Sequence, residues 1–247
     1  MNAIRLNLEA KKTSSEGKMQ LRTMNKHNRS MFLAVSSGAL LFCFQAAQAQ
    51  ETRFYIRADG GGNWTQDTDL KEFFGPVAPG TKVSFDPGVR FGFAGGYDVT
   101  DWFAAEAQVG VFANNIKSVT GASRVDATFS NVPFLLNARF QWPNKSLLTP
   151  YIGGGVGGSA STLDADHIDL GGTTLHGSQS TAVFAYQAFG GLRFRLNPRM
   201  GLSLEYRYFA TGEPEWEADS TFGTTSDRLR FGGAQTHAVS LAFDYRF

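Results

Sequence analysis

The 247-residue sequence has one cysteine, Cys43. A single thiol closes no intrachain disulfide and builds no cysteine-rich metal cluster. Long apolar runs are also missing: none reaches the ~20 residues that a membrane-crossing helix needs. No stretch shows a sustained period of 3.6, so neither a helical membrane protein nor a βαβ enzyme is expected. No proline-rich or glycine–serine linker divides the chain. A basic excess is lacking too. Residues 1–49 carry seven Lys and Arg against two Asp and Glu, leaving 16 against 20 and a net of −4 for residues 50–247. That balance argues against a nucleic-acid partner.

What is present begins with an address. Lys26 and Arg29 precede the apolar run MFLAVSSGALLFCF (31–44), and QAAQA (45–49) supplies small residues at Ala47 and Ala49. Basic head, short apolar middle and A-x-A exit form a secretory signal peptide, predicted to be cut after Ala49. Residues 1–23 are polar and carry Glu9 and Glu16, so translation is expected to start at Met24. Cys43 follows Leu41 and Phe42 rather than small residues, which does not fit a lipoprotein signal. The expected organisation is a leader over 1–49 and one domain over 50–247.

The stretch PYIGGGVGGSA (150–160) contains Gly153-x-Gly155-x-x-Gly158. That spacing cradles a dinucleotide only where a strand precedes it and a helix follows. Here a polar, aperiodic segment follows, so no nucleotide cofactor is expected.

The rest of the chain alternates with period 2, the signature of strands. In THAVSLAFDYRF (236–247), Val239, Leu241, Phe243, Tyr245 and Phe247 share one face; Ser240, Asp244 and Arg246 share the other. Seven further segments behave alike, near 54–60, 89–97, 103–111, 132–141, 151–158, 184–194 and 201–208. Connections alternate between short ones (98–101, around 143–145, 197–199) and long ones (64–87, 113–126, 160–181, 211–235). Eight strands with one aromatic-rich face, short turns at one end and long loops at the other predict an all-β fold. The expectation is an eight-stranded antiparallel transmembrane up-and-down β-barrel in the outer membrane. A soluble sandwich would not tolerate charges on the inner face of most strands. The glycines then serve the tight curvature of a narrow barrel and make room for long inward side chains.

YIRADGGGNW (55–64), VPFLLNARF (132–140), PYIGGGVGG (150–158), FAYQAFGGLRFRLNPRMGLSLEYRYF (184–209) and the final SLAFDYRF resemble the OmpA-like and opacity-protein outer-membrane β-barrels, over nearly all of 50–247. The resemblance implies outer-membrane lipids as surroundings. It implies the barrel-assembly machinery as a partner, reading Phe243, Tyr245 and Phe247. Larger relatives add a peptidoglycan-binding domain after the barrel; with Phe247 ending the last strand, that role is not expected.

Inside the expected barrel lie Arg57, Asp59, Arg90, Glu106, Arg139, Arg193, Glu205, Arg207, Asp244 and Arg246. Buried charges must pair, and a paired network fills the lumen. The expected function is therefore a structural or adhesive surface protein with little conductance, the alternative being a narrow ion- or small-solute-conducting porin. Catalysis and metal binding are not expected. His237 and Ser240 fall on opposite faces, and the acidic stretch Asp164-x-Asp166-His167 reads as a solvated loop. Trp216, ringed by carboxylates in EPEWEAD (213–219), is the candidate loop contact for a host or matrix ligand.

Overall fold

The computed structural model describes residues 53–170, 173–217 and 228–247. The leader, the start at Met24 and the cut after Ala49 lie outside them. The described residues form twelve strands, all paired antiparallel: β1 (Phe54–Thr65), β2 (Thr68–Phe73), β3 (Lys82–Phe85), β4 (Gly88–Asp98), β5 (Phe103–Val119), β6 (Ala122–Gln141), β7 (Leu148–Leu170), β8 (Thr173–Arg195), β9 (Met200–Thr211), β10 (Glu215–Glu217), β11 (Arg228–Phe231) and β12 (Gln235–Arg246).

Eight of these close a ring in the order β1-β4-β5-β6-β7-β8-β9-β12. The ends of the chain complete it: β12 pairs with β1 from Tyr55↔Arg246 to Thr65↔Thr236. Closure leaves no unpaired backbone edge on the ring. The eight segments expected from alternation are these eight strands. Within the ring the outward face of the strands is apolar and the charged residues point inward. On β9, Leu202, Leu204 and Tyr206 are exposed while Ser203, Glu205 and Arg207 are buried. One ladder is interrupted: between Val109↔Phe134 and Phe112↔Asn131 no β5–β6 pair forms. Pro133 lies in that gap and has no N–H to donate.

The long-loop end differs from expectation. β5 to β8 run 17, 20, 23 and 23 residues, about twice the 9–11 that cross a bilayer. Segments 113–126 and most of 160–181, expected as loops, instead prolong two hairpins. Gly121 turns the first with φ +82°, a left-handed conformation that glycine adopts without penalty. Segments 64–87 and 211–235 contribute β2, β3, β10 and β11, which join β5 in the order β10-β11-β2-β3-β5. The physical reason lies in the side chains. Past the ring the alternation inverts, with apolar residues inside and polar ones outside. Phe129, Leu163, Ala165 and Ile168 are buried, whereas Asp126, Asp164 and Asp166 are exposed. Such hairpins bury apolar surface in water and gain about 1.5–3 kcal/mol per large side chain. A disordered loop would forgo that gain.

Candidate functional site

The interior of the ring is filled in layers, starting near the short turns. Arg193 makes a forked contact with Asp244, Nε to Oδ1 at 2.9 Å and Nη2 to Oδ2 at 2.6 Å. Arg246 donates to Asp98 at 2.9 Å. Arg139 lies 3.1 Å from Glu106 and sits over the Tyr55 ring at 4.7 Å, while the Tyr55 hydroxyl donates to Glu106 at 2.6 Å. Above this, Glu205 accepts from Arg57 at 2.6 Å and Arg207 at 2.5 Å, with the Tyr151 hydroxyl donating to it at 3.0 Å. Arg90 pairs with Asp59. A neutral amide set closes the layer: Asn137 donates to Gln108 at 2.9 Å, and Gln187 donates to Asn137 at 2.6 Å.

All ten charged residues expected in the lumen are thus brought together. Every one pairs with a group of opposite sign, as charges removed from water require. Six guanidiniums meet five carboxylates, because Asp98 joins the set. Gln108, Asn137 and Gln187, which alternation places on the same face as these charges, point inward with them. Sequence reasoning missed Asp98, Tyr55 and Tyr151; the signal was parity, since Tyr55 lies two residues from Arg57. The glycine motif belongs to this layer. A Cβ on Gly155 would fall on Asn137 Oδ1, and one on Gly153 would meet Phe189.

The second layer is apolar. Phe112 and Phe209 stack with centroids 4.5 Å apart and planes 12° apart, surrounded by Leu135, Ala185 and Ala238. A thin polar step follows, in which Thr65 donates to Asn114 at 3.0 Å and Ser161 to Asn131 at 2.5 Å. The third layer is a core of sixteen buried residues from β2, β3, β5, β6, β7, β10, β11 and adjoining loops. Trp216 belongs to it.

That placement corrects the expectation for Trp216. The indole is only 2% exposed, packs edge-on against Phe231 and Phe129, and donates to the Ser161 carbonyl at 3.1 Å. It is no exposed anchor. The flanking Glu215 and Arg228 pair outside at 3.4 Å, and Glu213 bonds Lys71 and Arg230. The Lys71 hydrogen bond, then that of Arg230, holds the Glu213 carboxyl below the usual glutamate range.

The remaining candidates fall as follows. Ser240 is buried inside the ring; His237 is on the outer face with Val239, so the two cannot act together. His167 bonds Asp169 at 2.7 Å, and among the described residues no three His, Cys, Asp or Glu gather as metal ligands. Phe243 and Phe247 are exposed on the outer face.

The profile of the outer membrane protein β-barrel domain matches residues 34–247. Among solved structures, OprG of Pseudomonas aeruginosa aligns at 16% identity over 80% of this chain and 98% of that one, with a TM-score of 0.54. AlkL, solved in lipid bilayers, aligns at 18% over 83% and 96%, with a TM-score of 0.50. Neisserial surface protein A aligns at 16% over 79% and 98%, with a TM-score of 0.47. At these identities the likeness is one of fold. A comparison with curated protein sequences finds no match. The chain belongs to the outer-membrane protein β-barrel domain family.

Proposed function

We propose that this barrel is a closed, non-catalytic surface scaffold that presents its prolonged hairpins for contact and does not conduct. One observation carries the reading: three successive layers fill the interior, the charge network, the Phe112–Phe209 stack and the sixteen-residue cap. Eight strands enclose a space that side chains alone can fill. Long loops of such barrels face outward from the cell, so the polar outer face of β5 to β8 is the surface offered to a host or matrix ligand. With Trp216 buried, contact falls to exposed polar residues such as Lys117, Asp126, Asp164 and Asp166.

Single-channel recording on the refolded chain tests the closure. Folding is checked first by heat-modifiable migration on a gel. Silence is the expected result. Steady, ion-selective openings would replace this reading with the narrow porin. Binding to cells or matrix that survives replacement of the β7–β8 hairpin tip by a short turn would remove the contact role.

A further inference from the structure

The charges inside the ring do not balance. Near the short turns Arg193 meets Asp244 and Arg246 meets Asp98. Deeper lie four guanidiniums, Arg57, Arg90, Arg139 and Arg207, against three carboxylates, Asp59, Glu106 and Glu205. Arg139 pairs with Glu106 and Arg90 with Asp59, so Arg57 and Arg207 share Glu205. Among its charged neighbours Arg207 acts most strongly on Arg90, followed by Glu205 and Arg57. The surplus positive charge therefore lies among Arg57, Arg90 and Arg207, each at most 4% exposed. In all three the Nε is buried and has no hydrogen-bond partner among the described residues.

Register brings a fourth donor to the same place. Arg90, Gly61, Ser240 and Glu205 occupy one rung across β4, β1, β12 and β9. Arg207 and Ala238 are paired one rung farther from the short turns. Arg90 and Ser240 stand two strand spacings apart, about 10 Å between backbones, with only Gly61 between them. A Cβ on Gly61 would strike the Val239 carbonyl oxygen, so the backbone itself keeps this gap free of a side chain. Ser240 borders the gap, and its buried hydroxyl also lacks a partner among the described residues. Buried donors without acceptors are costly, and an unbalanced charge at membrane depth is costlier still. Water would supply an acceptor but no charge. Guanidinium N–H groups and a hydroxyl around one surplus positive charge suit a small monovalent anion. A divalent sulfate or phosphate would exceed the surplus.

We infer that the gap at Gly61, bordered by Arg90, Ser240 and Arg207, holds one chloride-sized monovalent anion inside the barrel. The anion accepts from the Nε of Arg90 and of Arg207 and from the Ser240 hydroxyl. It brings the deep interior to neutrality and is enclosed as the ring closes.

The test refolds the chain into bilayers in sodium gluconate, whose anion is too large for the gap, and replaces it stepwise with sodium chloride at constant ionic strength. Urea midpoints are read by folded migration on a gel. Stability of the unaltered chain should rise with the logarithm of chloride concentration, with the slope of one bound anion. Arg207→Met leaves Glu205 paired with Arg57 and equalises the deep charges, so its midpoint should not respond to chloride. If that variant fails to fold, Ser240→Ala, which removes one donor, takes its place. It should move half-saturation to about tenfold higher chloride. Ser203→Ala removes another buried, unpartnered hydroxyl, one level nearer the short turns on β9, and should respond as the unaltered chain does. Crystals of the barrel refolded in bromide should show an anomalous peak among Arg90 Nε, Arg207 Nε and Ser240 Oγ. The proposal is overturned by a midpoint indifferent to chloride in the unaltered chain, or by an undiminished response in either lumen variant. An equal loss of response in Ser203→Ala, or water in place of bromide at the gap, overturns it as well.

Discussion

At the scale of the residue, the interior tolerates little change because each side chain occupies space that a neighbour leaves open. The glycine motif shows this within four residues. At Gly155 a methyl group would strike Asn137 Oδ1 and lie 2.7 Å from the Leu136 carbonyl oxygen; at Gly158 the nearest atom is 3.7 Å away. Gly155→Ala should therefore destabilise the folded barrel by about 1–3 kcal/mol, and Gly158→Ala by less than about 0.5 kcal/mol. Urea titrations followed by gel migration compare the two directly. Equal midpoints would mean that Asn137 moves aside without cost. Glu205 is the second sensitive point, since it joins Arg57, Arg207 and Tyr151. Buried ion pairs add little net stability over apolar substitutes, but removing one partner leaves the others uncompensated. Glu205→Gln keeps the shape and strands two guanidiniums, so a loss of about 3–5 kcal/mol is expected. A midpoint within error of the parent would show that water, rather than Glu205, satisfies them.

At the scale of the element, the ring strands could be read from sequence because period 2, a consistent apolar face and turn residues all agreed. The prolonged hairpins could not, for a definable reason. Past the ring the two faces exchange character, and bulges at Asp126/Ala127 and Ala165/Ile168 shift the register, so alternation breaks just where a reader follows one face. Trp216 was misread in the same way. In Glu215-Trp216-Glu217 the carboxylates look like a solvated loop, but this is a three-residue strand with its indole inward. Trp216→Ala should then cost about 3–5 kcal/mol of local stability, appearing as protease cleavage in the extension while the ring still migrates as folded. Protection equal to the parent would mean that the cap does not depend on Trp216. The outer face has a smaller effect of its own. Glu213 is held below the usual glutamate range by Lys71 and Arg230. Its contribution is complete above the unfolded value of about 4.3 and fades as pH falls through the lower folded value. Both partners are more than a third exposed, so the gain is at most about 1 kcal/mol. Extension stability measured from pH 7 to pH 3 should fall less in Glu213→Gln than in the parent; parallel curves would remove the claim.

At the scale of the molecule, two cores of opposite construction share β5, β6 and β7. The ring is apolar outside and polar inside, and lipid holds it because backbone hydrogen bonds cannot open in hydrocarbon. The extension is apolar inside and polar outside, like a small water-soluble domain, a size class with marginal stability. Between them lies the step of Thr65, Asn114, Asn131, Ser161 and Thr236, bonded mostly within itself. Side-chain packing is therefore discontinuous even where β5 to β8 run through, and the two cores should unfold separately. Trp216 reports the extension; Trp64, Trp102 and Trp142 lie exposed on the outer face of the ring or its turns. In Trp64→Phe/Trp102→Phe/Trp142→Phe, fluorescence comes from Trp216 alone. On adding urea to the barrel in bilayers, its emission should shift to the red at a lower concentration than the one that abolishes folded migration on a gel. The lower transition should be reversible while the ring stays inserted. Coincident transitions would show instead that the strands themselves couple cap to ring, and that the extension is part of the barrel's single cooperative unit.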